Sequence, residues 1–282
     1  MNINFKLRIL ILSNLNNEDC SEDILLANSF IEDGNEVLVT NIDFDEKLDD
    51  VYDIFLRRST WVGDESEYKE NDIKIQKVIN RLKSKNKLIY NFGGIFDSKG
   101  KDYLYNLYKK GYPVIPTAKF YNETTDWNCN KMRVKPLNSY DGFDQIVVDT
   151  SQIKKYFNKN YLIQPNIKFE SEIQFYFVDK KFYYALEFIP SKVPTYPTPK
   201  LYLAKDNEIE MAKNFIKMNA LKYGMERVDF IKTPDKKLLL LEIEDCDPYL
   251  DLEDLIDIDK NLADSFIVAY KKSVYDFYKT NK

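Results

Sequence analysis

The chain has 282 residues, 44% of them hydrophobic and 31% charged, with a formal net charge of −5. That balance is ordinary for a globular protein, its length favours two lobes over one core, and its acidity provides no basic face for nucleic acid. It has no histidine, which excludes Ser-His-Asp and Cys-His nucleophile systems, His-ligated zinc and His general bases together.

Leu7–Leu12 reads as a buried strand ending at Ser13-Asn14; its apolar run is broken by Arg8 and is too short for a secretion signal. An amphipathic helix over Asp23–Asp33 stops at Gly34-Asn35. Strands follow at Glu36–Asn41 and Asp53–Arg57, a helix at Ile73–Lys83 and a strand at Lys87–Asn91. A helix at Lys101–Lys109 is closed by Gly111, with a short strand at Pro113–Ile115. Strand alternating with helix implies a parallel sheet covered by helices, in a first lobe over residues 1–116. The second lobe, 117–282, is richer in strands: Arg133–Lys135, Gln145–Val148, Tyr161–Gln164, Ile173–Val178, Lys181–Phe188, Arg227–Lys232 and Lys237–Ile243. Asp179-Lys180 is placed for a tight hairpin turn. Helices are expected at Thr150–Phe157, Glu208–Tyr223 and Lys260–Lys279, so this lobe reads as α+β. The apolar face of the last helix (Ile267, Tyr270, Val274, Phe277) could serve a homodimer contact as well as a core. The proline-spaced stretch Pro190–Pro199 reads as an extended loop. No apolar run approaches the roughly 20 residues of a membrane span. The dispersed Cys20, Cys129 and Cys246 fit neither a disulfide framework nor a zinc site. The expectation is a cytoplasmic protein with no membrane partner.

Three local patterns carry chemistry. In the strand KLLLLEIE, period two puts Glu242 and Glu244 on one face, and a hairpin with the preceding strand would bring Asp229 to that face. Three gathered carboxylates are costly without a cation, and hard oxygen ligands favour magnesium; a solvated acidic face is the competing reading. Lys135 ends a strand and enters a turn with Ser139 and Gly142 that could offer backbone N–H groups to a phosphate, although such strand-turn-lysine patterns are common. Tyr161–Asn166 is an apolar strand running into a proline-bearing segment whose backbone could meet an adenine edge, or is a plain strand end.

Taken in order, these elements resemble the ATP-grasp superfamily of carboxylate–amine ligases. Within it they are most similar to the group of the bacterial D-cycloserine-forming ligase and, more distantly, to bacterial glutathione synthetase. The resemblance runs from about Phe55 to Pro248 and rests on Arg57-Arg58-Ser59-Thr60-Trp61, Asn91, Lys101-Asp-Tyr-Leu, Gly111–Thr117, Arg227-x-Asp229 and Glu242-x-Glu244 with Pro248. It implies an N-terminal parallel-sheet (pre-ATP-grasp) domain followed by an ATP-grasp domain. It implies ATP and Mg²⁺ as cofactors, with Lys101 and Lys135 on the phosphates, and Ser139, Gln164, Asn166, Ile167 and Glu172 also in the nucleotide site. Asp229, Glu242 and Glu244 would hold the metal. Arg227 would steady an acyl phosphate, against a plain salt bridge as the alternative. Arg58 would pair with a substrate carboxylate, against a solvated surface arginine. The Pro190–Pro199 loop would close over the reacting groups. Departures from the pattern are a single glycine between Lys135 and Phe143, Ser171 before Glu172, lysines (Lys192, Lys200) where an arginine is common, and Glu244 where many relatives have Asn.

The implied reaction activates a substrate carboxylate or carbamoyl oxygen as an acyl phosphate and joins it to an amine, which needs no histidine. The partners would be a small-molecule acid and amine, on an amino-acid-like metabolite or peptide. Two other readings compete: a degenerate nucleotide-binding module without turnover, and an unrelated α/β transferase in which the Asp-then-Glu-x-Glu pattern is accidental.

Overall fold

The first lobe follows from short β-branched runs flanked by amphipathic helices. β1 (Arg8–Leu12), β2 (Glu36–Thr40), β3 (Ile54–Arg57) and β4 (Leu88–Tyr90) pair in parallel in the order β2-β1-β3-β4. The structure, a computed structural model, describes residues 6–15, 20–58, 65–138, 145–157, 159–190 and 197–282, with the backbone alone for 65–69 and 71. Both faces of the sheet are covered, as parallel strands require. Ile9, Ile11, Ile54 and Leu56 pack on α1 (Ser21–Glu32), and Leu10, Leu12 and Phe55 pack on α2 (Glu65–Ser84). Gly34 and Gly111 take the positive φ values, 85° and 80°, that end α1 and α3 (Asp102–Lys109).

Two antiparallel sheets follow. β5 (Lys131–Pro136) lies between β6 (Ile146–Asp149) and β7 (Tyr161–Pro165). The larger sheet has the order β10-β9-β8-β11-β12, built from β8 (Ser171–Val178), β9 (Lys181–Phe188), β10 (Lys200–Leu201), β11 (Met225–Lys232) and β12 (Leu238–Glu244). Asp179 and Lys180, both at positive φ, make the tight turn between β8 and β9. Alternation splits the larger sheet by face. Phe175, Val228, Phe230 and Leu240 form a core with α3 and with α4 (Asp206–Met218), while the other face carries Glu172, Gln174, Arg227 and Asp229.

Some expectations are corrected and others refined. Pro113–Ile115 does not extend the first sheet: Val114 bridges Leu240 of β12, and Phe96, Tyr103, Leu104 and Leu107 share the core of the larger sheet. Residues on both sides of 116 therefore share the core of the larger sheet. Thr150–Tyr156 forms 3₁₀ turns rather than an α-helix, with Ile153 its buried residue. α4 ends at Met218, short of Tyr223, because Asn219 turns extended and its side chain is taken by Glu226 and Asp245. In the last helix, α5 (Leu252–Asn281), Tyr270 and Val274 are fully buried and Ile267 and Phe277 pack partly buried against the same core, which is the core alternative for that face. α5 is broken at Asp259, whose carboxylate accepts from Leu262 N at 3.1 Å and so caps the segment beginning at Lys260. No helix among the described residues is long and apolar enough to cross a membrane.

Candidate active site

Between the two antiparallel sheets lies a cleft of about 320 Å³. One wall is the polar face of β8, β11 and β12. There Asp229 stands opposite Glu242, and Arg227 opposite Glu244. A bulge beside Asp229 leaves Leu241 without a partner, so Leu241 and Glu242 both line the cleft. Ligand oxygens of Asp229, Glu242 and Glu244 lie within 4.8 Å of one another. The opposite wall is β5 and β7, where Arg133 and Lys135, two apart on one strand, line the cleft with Gln164, Asn166 and Ile167.

Cations converge on these acids. Lys135 Nζ donates to Glu242 Oε2 at 3.1 Å, and Lys101 Nζ reaches the same oxygen at 2.7 Å. Lys101 also pairs with Asp97, whose other oxygen accepts from Tyr103 Oη at 2.5 Å; that hydroxyl in turn accepts from Ile243 N at 2.7 Å. The 96–98 turn is drawn in by Asp245, which accepts from Phe96 N at 2.8 Å and Ser98 N at 2.9 Å. Lys101 N donates to Leu137 O at 2.8 Å, tying the start of α3 to the end of β5. Arg227 grips Asp229 through Nε and Nη2, both at 2.9 Å, and donates to Glu244 at 2.7 Å.

Burial alone would raise the Glu242 carboxyl; the Lys101 and Lys135 ammonium groups overcome it and hold that group well below the usual carboxylate range. Burial pushes Asp229 up to about 7 against the pull of Arg227, and raises Glu244 and Glu172 as well. Desolvation lowers the Lys135 ammonium. The site thus concentrates carboxylates whose charge is only partly matched from within, an environment that favours a further cation.

Of the residues singled out in the sequence, Lys135, Gln164, Asn166, Ile167, Glu172, Arg227, Glu242 and Glu244 all line this cleft, and Asp229 completes the carboxylate group. Gln164 is held by a bond from its Nε2 to Thr117 Oγ1 at 3.0 Å. Lys101 stands behind Glu242, almost fully buried. Both readings of Arg58 are corrected: it is neither solvated nor at the cleft but fully buried, donating to Asp23 at 2.8 Å, to Glu22 and to Pro248 O at 2.9 Å. Two acids from α1 need a buried counter-charge, and Arg58 supplies it. Ser139, Gly142, Ser59–Trp61 and Lys192 lie outside the described residues, as does the 191–196 part of the proline-spaced loop. Arg133, Gln145 and Gln174 line the cleft and were not anticipated. Period two from Lys135 and from Glu172 would have pointed to Arg133 and Gln174, and the i, i+4 spacing to Lys101 would have pointed to Asp97.

No family model matches this sequence, and no curated protein sequence is similar enough to match it. Solved structures do match over nearly the whole chain. The chain is similar to D-cycloserine synthetase DcsG at 15% identity and a TM-score of 0.71, covering 98% of this chain and 100% of that one. It is similar to a Chryseobacterium gregarium RiPP-associated ATP-grasp ligase, solved with ADP and a leader and core peptide, at 15% identity and a TM-score of 0.62, covering 94% and 96%. It is also similar to D-alanine–D-alanine ligase from Bacillus anthracis, solved with ATP, at 15% identity and a TM-score of 0.59, covering 98% and 97%. At such identities the likeness is one of backbone architecture: this chain resembles the ATP-grasp ligases and has their fold.

Proposed function

We propose that the chain is an ATP- and magnesium-dependent, ADP-forming ligase that joins a carboxylate to an amine, on a small amino-acid-like metabolite or peptide. The observation that carries this reading is the convergence of Asp229, Glu242 and Glu244 within 4.8 Å, on a cleft also lined by Lys135 and Arg227. The donor set fits the metal: hard carboxylate oxygens and no softer ligand. The cleft fits a nucleotide, with cations at the Lys135 end and the backbone of Gln164–Ile167 on the β7 side. When bound, magnesium and ATP supply the divalent charge and the transferable phosphoryl group that make a carboxylate reactive toward an amine.

The chain's own residues then position and neutralise. Lys135 and Lys101 hold phosphate oxygens, with the strand geometry of β5 directing Lys135. Gln164, Asn166 and Ile167 hold the base. Arg227, locked by its two bonds to Asp229, presents a guanidinium to the transferring group. The region through 116 contributes much of the acid and amine selectivity together with Lys101, and 117–282 the rest of the nucleotide site and the metal site. Two similar proteins, the ATP-grasp ligase PsnB and the macrocyclase MdnC, were solved with precursor peptides bound, which motivates including short peptides among the candidates.

A second reading, nucleotide binding without turnover, is favoured by one feature: Glu242 is already engaged by both lysines. ADP release separates the two. Carboxylic acids and amines, including amino acids and short peptides, are offered in pairs with ATP, with and without magnesium. Magnesium-dependent ADP release that requires both members of a pair supports the ligase. Saturable ATP binding with no ADP release from any pair supports the binding module.

A further inference from the structure

Between β12 and α5 the chain crosses from the cleft to the first lobe along Pro248–Asp251. Successive main-chain groups of this link are each held by a side chain from a different element. Pro248 O accepts from Arg58 Nη1 at 2.9 Å, and Tyr249 O from Arg227 Nη1 at 2.9 Å. Leu250 N donates to Glu22 Oε2 at 2.9 Å, and Leu250 O accepts from Tyr184 Oη at 2.6 Å. Asp251, at a left-handed φ of 51°, accepts from Tyr176 Oη at 2.5 Å. The link has little freedom left, and two arginines from different lobes hold neighbouring carbonyls of it.

Each guanidinium is fixed on its remaining edges. Arg58 spends Nε on Asp23 and Nη2 on Glu22, and is fully buried. Arg227 spends Nε and Nη2 on Asp229 and Glu244. A planar fork transmits direction as well as charge, so moving the Pro248 carbonyl turns the adjoining peptide whose oxygen Arg227 holds. Tyr176 adds a second contact, its ring centroid 6.0 Å from the Arg227 guanidinium carbon and its hydroxyl on Asp251.

We infer that Arg58 is a positioning residue for Arg227, acting through the backbone of Pro248 and Tyr249. The first lobe thereby sets how Arg227 meets the transferring phosphoryl group. This rests on the ligase reading above. A merely structural Arg58 would change the stability of the fold without distinguishing a triphosphate from a diphosphate. A positioning Arg58 makes that distinction, because Arg227 is assigned to the transferring group.

The test titrates magnesium–ADP and a magnesium complex of a non-hydrolysable ATP analogue into the full chain by calorimetry. The proteins are wild type, Arg58→Lys, Arg227→Lys, the double variant and Tyr184→Phe. Arg58→Lys should keep its affinity for the diphosphate and lose at least about fivefold in affinity for the triphosphate analogue, the low end of typical coupling between sites. The double variant should lose no more than Arg227→Lys alone, since the two act on one element. Tyr184→Phe removes only the hydroxyl on Leu250 O and keeps the ring, stacked 4.2 Å from Tyr176. It should show the same selective loss, and it carries the test alone if Arg58→Lys does not fold. A folded variant with the wild-type triphosphate-to-diphosphate ratio, or additive losses in the double variant, overturns the inference. Wild type binding neither nucleotide would instead refute the ligase reading itself, taking the inference with it.

Discussion

Replacing Glu242 by Gln removes one negative charge from the carboxylate group while keeping its size and one acceptor oxygen. Like charges within 4.8 Å of one another repel by at least about 3.5 kcal/mol at an effective dielectric near 20. A divalent ion is attracted to each carboxylate by at least as much, so losing one charged ligand should cost at least about 2.7 kcal/mol, a hundredfold in affinity. The assay is thermal unfolding with ATP, with and without magnesium. At a ligand concentration 100 times the dissociation constant, wild type should gain about 2.7 kcal/mol. For a chain of this size that is roughly 5–10 °C. The variant under the same conditions would sit near its own dissociation constant, gain only about 0.4 kcal/mol and shift by about 1 °C. Its metal-free midpoint should also fall, because Lys101 and Lys135 both lose a charged partner; the comparison is therefore between shifts, not midpoints. An equal magnesium-dependent shift in the variant would refute the assignment of Glu242 to the metal. A wild-type shift indifferent to magnesium would refute the metal site as a whole.

Two further predictions concern the scaffold behind the site. Glu226 is buried, and desolvation pushes its carboxyl up to about 8 against the bond from Asn219. An acid whose folded pKa is raised contributes stability that is complete below its unfolded value near 4.5 and is lost as pH rises toward 8. Glu226→Gln should accordingly change stability little at pH 5 and stabilise by up to about 4–5 kcal/mol at pH 9, measured by urea unfolding; a difference independent of pH would sink this account. At Gly94, an added Cβ would lie 2.2 Å from Asp245 Oδ2 and 2.8 Å from its backbone oxygen. Gly94→Ala should therefore displace the carboxylate that holds Phe96 N and Ser98 N, costing about 2–3 kcal/mol. An unchanged urea midpoint would show that the turn can yield.

Much of the site was legible locally. Period two alone put Glu242 and Glu244 on one face, and the β11–β12 register brought Asp229 to them as a hairpin would. The alternation of strand and helix gave the parallel first sheet, and Asp179-Lys180 gave the turn between β8 and β9. Arg133 and Gln174 lie on the same strand faces as Lys135 and Glu172, two residues away, and that spacing was enough to find them.

What the sequence by itself determined is which side chains share a face of their own element, because pleat and helix pitch are local properties of the backbone. What only the tertiary structure decided is which faces meet. Lys101 and Lys135 share one oxygen of Glu242 across 141 and 107 residues. Pro113–Ile115 joins β12 instead of the first sheet. Arg58, exposed or substrate-facing by its motif, is enclosed by Glu22, Asp23 and the carbonyl of Pro248. The physical reason is the same in each case: a buried charge is stable only where its counter-charge arrives, and that arrival is set by the packing of elements far apart in the chain.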